Sequence, residues 1–252
     1  MTTSELAVDD EGAVRILTFR RPRQLNAISV ELAAALEGAL RQAEEAPGLG
    51  AVVLTGVGQH FSAGGDAHSI VRAIDGSAGG VPQLMHTFHT LVRRIWNSPL
   101  PVIAAVSGVA YGGAFNLVLA CDLAVCSSDA RFCQVFLRRG LVPDLGGAFL
   151  LPRLVGLQRA KELMLLTPEL DAHRAHALGL VNEVLDEGVD VRARAVELGG
   201  RLAELSPAAV ALTKRLVNTS AGDLTSSLDM EAMAQAVALA TPQARQGFER
   251  FL

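Results

Sequence analysis

The chain has 252 residues, half of them hydrophobic and 19% charged, with a formal net charge of −4 at pH 7. That length and hydrophobicity suit a large buried core, so an α/β domain with a helical appendage is expected and a disordered or fibrous chain is excluded. The negative balance argues against nucleic acid or an anionic membrane as main partner, yet leaves room for a small anionic ligand held by a local arginine cluster.

Ala13 to Phe19 alternates as a strand, and Arg20-Arg21-Pro22-Arg23 follows as a basic loop. Ser29 is placed to cap a helix running to about Glu45, with Leu32, Leu36 and Leu40 on one face. Ala51 to Thr55 reads as a buried strand that opens into Gly56–Asp66, a loop with four glycines. A short helix, a Gly/Ser-rich gap at Asp75 to Gly80 and a longer helix from about Val81 to Asn97 come next; the gap is the expected mobile segment. Val102 to Val106 has the apolar, β-branched pattern of a strand buried on both faces. Small residues and the Gly112-Gly113 pair then lead into Ala114 to Ala120, an almost wholly apolar helix. A strand at Leu123 to Cys126, a less regular region through Phe132, and a turn at Gly140 to Gly147 that starts another helix follow.

From Gln158 the character changes. Helices are predicted at about Gln158 to Leu166 and Ala172 to Leu178, with a last strand at Val181 to Leu185. Only helix follows: about Val189 to Leu205, one opened by Ser206-Pro207, Asp223 to Ala240, and one opened by Thr241-Pro242. Ser or Thr at the cap with Pro in the first turn is a helix start signal, and it occurs twice. Helices this rich in Leu, Met and Ala behind a β/α core call for a partner surface, so an oligomer is expected. No internal repeat is visible.

Cys121, Cys126 and Cys133 fit no metal spacing and read as buried free thiols of a reducing compartment. The polar start from Met1 to Leu6 lacks the basic and apolar segments of a secretory signal, and Val102–Ala120 is too broken by glycines and polar residues to span a membrane. A cytoplasmic protein is expected. A Gly-x-x-x-x-Gly-Lys-Ser/Thr phosphate loop and a Gly-x-Ser-x-Gly elbow are absent, and Phe61 stands where a dinucleotide fingerprint starting at Gly56 needs its third glycine. The pairs His86/His89 and His173/His176 lack a third ligand and read as surface or partly buried histidines, so no metal is expected.

Two glycine-rich turns, Ser62–Asp66 and Ala110–Ala114, each follow a buried strand. Singly, each is a tight turn. Together they would bring two N–H donors to one carbonyl oxygen, the second aided by the positive end of the helix that follows. Such a pair stabilises an enolate by about 3 kcal/mol per preorganised donor.

The segments Arg20–Ala27, Val52–Gly56, Phe61–Asp66, Pro101–Gly108, Gly112-Gly113 with Ala120–Asp122, Leu151–Gly156, Ala177–Val181 and Gly247–Phe251 stand in a characteristic order and spacing. On them the chain resembles the crotonase (enoyl-CoA hydratase/isomerase) superfamily over nearly its whole length. The resemblance implies an α/β fold of the ClpP/crotonase type. Residues 1–188 would form a β-β-α spiral acyl-CoA-binding core and residues 189–252 a C-terminal helical trimerisation region, giving a homotrimer or a dimer of trimers. It also implies an acyl-CoA thioester substrate, with coenzyme A arriving as part of it and no further cofactor. The thioester oxygen would lie against the N–H groups of Gly65 and Gly113, and glycine at both lets a ligand approach the main chain closely.

The departures from the family pattern redirect the chemistry. Where hydratases of the family carry two glutamates, this chain has Asn116 and Phe136. Hydration needs one group to activate water and another to deliver a proton, so the loss of both argues against it. One carboxylate remains. Asp144, in Leu141–Gly147, is similar in placement to the aspartate of dienoyl-CoA isomerases and more so to the lone aspartate of 1,2-epoxyphenylacetyl-CoA isomerase-like members. Its bland reading is a helix cap, but Phe136, Leu141, Val142 and Leu145 flank it, and desolvation among them would raise its pKa toward a useful range.

A single base suits isomerisation, so the expectation is an acyl-CoA isomerase with Asp144 as proton shuttle and Gly65 and Gly113 as oxyanion donors. Arg23, Ala63, Asp66, Asn116 and Phe136 are the expected substrate-binding positions, with Arg23 the best phosphate ligand of Arg20, Arg21 and Arg23. Asp66 is expected to fix its loop more than to do chemistry, and Tyr111 and Trp96 read as core or pocket wall. The alternatives are a hydratase with a displaced carboxylate, a non-catalytic acyl-CoA-binding homologue, and a dehalogenase using Asp144 as nucleophile, which needs a histidine base; His60 and His68 are near only in sequence.

Overall fold

The structure, a computed structural model, describes residues 5–76, 79–219 and 223–249. The polar start at residues 1–4, the middle of the Asp75–Gly80 gap (residues 77–78) and the end of the Gly247–Phe251 motif lie outside the described residues. The chain begins with a hairpin, β1 (Leu6–Glu11) against β2 (Val14–Phe19), and continues through α1 (Val30–Glu45), β3 (Ala51–Gly56), α2 (Ala67–Ile74) and α3 (Gly80–Asn97). Then come β4 (Val102–Val106), β5 (Val109–Tyr111), α4 (Gly113–Ala120), β6 (Leu123–Ser127) and β7 (Arg131–Cys133). The last third holds α5 (Gly147–Leu165), β8 (Leu170–Asp171), α6 (Ala172–Ala177), β9 (Glu183–Leu185), α7 (Val191–Ala203), α8 (Pro207–Thr219), α9 (Leu224–Leu239) and α10 (Pro242–Glu249).

Six strands form one sheet in the order β1-β2-β3-β4-β6-β9, antiparallel at the first pair and parallel from β2 onward. Alternate residues of its central strands serve two cores. Leu54, Val102, Ala104 and Val106 face the main core, while Val53, Ile103, Ala105 and Val125 face a smaller one closed by Val191 and Ala195 of α7. Burial on both faces is why these strands read as unbroken apolar runs. A boundary at residue 188 puts α7 with the C-terminal helices; in space it packs on the sheet and seals its second face.

A smaller sheet runs β5-β7-β8 and is extended by isolated parallel bridges between Ser62 and Ala110 and between Ile28 and Gly65. Successive turns of chain therefore place one strand in the large sheet and one segment in the small layer before a helix returns, which is a β-β-α spiral. Both glycine turns lie in that small layer, side by side, because the large sheet brings β3 and β4 into parallel register.

Besides the short strands β5 and β8, which the sequence reading does not predict, three elements differ from the sequence expectation. The first is β1, where Asp9-Asp10-Glu11 hides an edge strand whose outer half is exposed. The second is β7, within the stretch expected to be irregular. The third is α5, which starts at Gly147 and bends at Gly156 (φ 77°, ψ 161°), so the two expected helices join across a kink. At the C-terminal end, Lys214 of α8 pins its helix to the core, donating to the carbonyls of Ile95 and Leu100 at 2.9 and 3.1 Å and to Asp122 at 2.7 Å.

Candidate active site

The two glycine turns are almost fully hydrogen-bonded, and the exceptions define the site. In the first, Ser62 N–H donates to Val109, Ala63 N–H to Leu25, Gly64 N–H to the Ser62 hydroxyl and Asp66 N–H to Ile28. Gly65 N–H alone in this turn has no acceptor among the described residues. In the second, Tyr111 N–H donates to Ser62 and Gly112 N–H to Cys133, while Gly113 opens α4, whose first N–H groups have no intrahelical acceptor. The turns touch. Gly64 has φ +99°, and a Cβ there would lie 2.6 Å from the Tyr111 carbonyl oxygen and 3.6 Å from Gly113 N, so only glycine permits this approach.

Gly65 and Gly113 line a cavity of about 240 Å³ whose walls are mostly apolar. Ala63, Phe136 and Asp144 line it too, with Leu141, Val142 and Leu145 from the Asp144 loop. Across from them, α2 and α3 supply Ile70, Ile74, Leu84, Met85 and Phe88. Sequence reasoning missed these, because an apolar helix face that walls a cavity has the same spacing as one that fills a core. Arg139 is the other charged residue of the lining.

Asp144 is delivered by a sharp turn: Leu145, though buried, sits at φ 45° and Gly146 follows at φ 80°. A left-handed leucine is costly, and such strain concentrates where a functional group is held in place. The Asp144 Oδ1 atom is buried without a hydrogen-bond partner among the described residues. Burial among apolar side chains pushes this carboxyl up to about 6, against an ordinary value of 3.8, with a bond from its own backbone N–H pulling the other way.

The structure thus brings Asp144, Gly65, Gly113, Ala63 and Phe136 onto one cavity. Asn116, Asp66 and Arg23 lie outside its lining. Asn116 is fully buried and spends its amide on the Asp144 carbonyl and the Gln134 side chain. Asp66 caps α2 through Ser69 N–H at 2.9 Å and pairs with Arg21 at 3.0 Å. Those bonds, strongest among them to Ser69, outweigh burial and hold its pKa below the ordinary value.

Arg21 is committed to the fold as well, bonding Ala27 carbonyl at 2.6 Å and pairing with Glu5 at 3.0 Å. Arg20 and Arg23 are exposed and border a separate polar depression with Glu5, Pro22 and Gln24. Tyr111 is half-buried and donates its hydroxyl to Glu169, and Trp96 packs edge-on to Phe149; neither lines the cavity. No histidine lines it either among the described residues; Nδ1 of His60 accepts the Val109 N–H elsewhere. No group of metal-binding side chains is found among the described residues, and no helix there is long and apolar enough to cross a membrane.

Such an arrangement has the chemistry to hold a carbonyl oxygen on main-chain donors beside an apolar group, with one carboxyl raised to about 6 close by. The chain is similar to known proteins over nearly its whole length. The family model described as enoyl-CoA hydratase/isomerase matches residues 9–252. The 1,2-epoxyphenylacetyl-CoA isomerase of Escherichia coli (strain K12) is 35% identical over 247 residues, 96% of this chain and 93% of that protein. A short-chain-enoyl-CoA hydratase of Clostridium acetobutylicum is 30% identical over 256 residues, 100% of this chain and 96% of that protein. Among solved structures, an enoyl-CoA hydratase from Polaromonas sp. JS666 superposes with a TM-score of 0.92 at 35% identity, covering 98% of this chain and 96% of the other.

Proposed function

From the premise that the chain belongs to the enoyl-CoA hydratase/isomerase family, we propose that it is an acyl-CoA isomerase with Asp144 as its single proton shuttle. The observation that carries this reading is that Asp144 is the one carboxylate on the cavity among the described residues, while Phe136 presents a ring beside it. Water activation with separate proton delivery has no second acid here, and a displacement by Asp144 has no histidine to hydrolyse the resulting ester.

The thioester oxygen lies on Gly65 and Gly113 N–H, the latter at the positive end of α4. Asp144, ionised above about 6, takes the proton from the carbon next to the thioester. The electron pair moves onto the oxygen as an enolate. In a 3-enoyl ester that charge is shared with C4, and return of the same proton there leaves the conjugated 2-enoyl ester. An epoxide whose first carbon is C3 opens by the same activation: the electron pair left at C2 forms the C2=C3 bond, the C3–O bond breaks, and Asp144 returns its proton to that oxygen. Exposed Arg20 and Arg23 suit the phosphates of coenzyme A. Trimer formation is supported by the apolar residues that the last helices leave exposed, Leu224, Leu228, Met233 and Val237 among them.

Incubation with 2-enoyl-, 3-enoyl- and 1,2-epoxyphenylacetyl-CoA, read by product mass, tests the reading. Isomerisation conserves mass. A gain of one water on the 2-enoyl ester, without isomerisation of the others, would identify a hydratase, and no turnover of any ester would leave only binding.

A further inference from the structure

Resting on the reading of Asp144 as proton carrier, we infer that Asn116 is a positioning residue for it, holding the Asp144 peptide from the position where hydratases of the family carry a carboxylate. Asn116 stands one helical turn beyond Gly113 on α4 and is fully buried. Its Nδ2 donates to the Asp144 carbonyl at 2.8 Å, and its Oδ1 accepts from Gln134 Nε2 at 2.8 Å. The orientation is forced, because a main-chain carbonyl only accepts. A second donor, Gly147 N–H, reaches the same carbonyl at 2.9 Å. Gly147 is moulded to the amide: a Cβ there would lie 2.3 Å from Asn116 Nδ2.

The two donors clamp the Asp144 peptide from both sides, just before the left-handed turn at Leu145. Neither touches the Asp144 carboxylate, whose Oδ1 has no partner among the described residues. The clamp thus fixes the shuttle's backbone and leaves its carboxylate free to take and return a proton. An ionised glutamate at position 116 would turn an oxygen toward the Asp144 carbonyl, two acceptors facing each other, and would crowd Gly147. An ionised carboxylate at 116 therefore removes one of the two donors that hold Asp144 in this placement.

The test is Asn116→Asp, close in shape but with an acceptor for the donor, measured on the full chain. The readouts are kcat and KM for a 3-enoyl-CoA, the pH profile, and exchange of the α-proton of phenylacetyl-CoA in deuterated buffer. Expected are a kcat lower by about 10- to 100-fold, KM within about twofold, and a pH profile moved upward by the added negative charge. An unchanged kcat, or a loss carried by KM alone as direct substrate contact would give, overturns the inference.

Should that variant fail to fold, Gln134→Met removes the donor behind Asn116. A kcat loss of about threefold or more at constant KM is then expected, and an unchanged kcat overturns the role. Proton exchange separates the two ideas. Absence of exchange in the unaltered protein removes the shuttle reading itself, and the positioning role with it. Exchange lost in Asp144→Asn but intact in Asn116→Asp overturns the positioning role alone.

Discussion

Asp144 Oδ1 stands 3.4 Å from the point that a Cβ on Gly113 would occupy, so the proposed proton carrier and a proposed oxyanion donor meet across a single carbon's width. The same point is 3.2 Å from Leu145 Cδ1. Gly113→Ala therefore forces the Leu145 side chain back by a few tenths of an ångström and sets a methyl group against the Asp144 carboxylate. Turnover of a 3-enoyl-CoA is expected to fall about tenfold or more, with little change in melting temperature. Steady-state kinetics paired with a thermal melt checks both halves.

Burial raises the Asp144 carboxyl to about 6, and with Asp144 as the proposed carrier the rate follows its ionisation. kcat/KM for isomerisation is expected to rise with pH through a limb near 6 and then level off. A limb near 4 would mean that the carboxylate is solvated and not the carrier described.

The same shift has a cost in stability, and its sign is fixed. A folded-state pKa near 6 against an ordinary 3.8 means that the folded protein holds the proton more tightly, so stability is lost as pH rises through that interval. Asp144→Asn removes the effect. Its stability relative to the unaltered protein is expected to increase from pH 5 to pH 7.5, by about 1.4 kcal/mol, in urea titrations.

Lys214 offers a test of the fold apart from the site. Its ammonium is almost fully buried and pairs with Asp122 at 2.7 Å, while desolvation pushes the Asp122 carboxyl upward against that attraction. Lys214→Met leaves the carboxylate buried without its cation, and a loss of about 3 kcal/mol is expected at neutral pH, shrinking in acid as Asp122 takes up a proton. Chemical denaturation at two pH values measures it.

The parts of this molecule legible from its sequence are those whose signal is local. Val102–Val106 is apolar throughout because both its faces are buried, and Ser29 announces α1 because a cap bonds within its own turn. The paired glycines were legible as turns. That Gly65 keeps a free N–H depends on its neighbours Gly64 and Asp66 having found acceptors in Ser62 and Ile28.

What stayed hidden is long-range. Arg21 looks like its neighbours Arg20 and Arg23 until Glu5 and Asp66 are brought against it. Asn116 reads as a side chain facing substrate, yet its partner is a carbonyl 28 residues away that no spacing rule connects to it. Ile70 and Phe88 cannot be told from core on helical periodicity, and β1 is masked by an acidic edge.

The most direct test of the account is Asp144→Asn on a 3-enoyl-CoA, with product mass and conjugated-enoyl absorbance followed together and ester binding measured in parallel. The account predicts that the variant folds and binds the ester, while mass-conserving isomerisation falls by about 100-fold or more. Undiminished isomerisation by a folded, substrate-binding variant would contradict it.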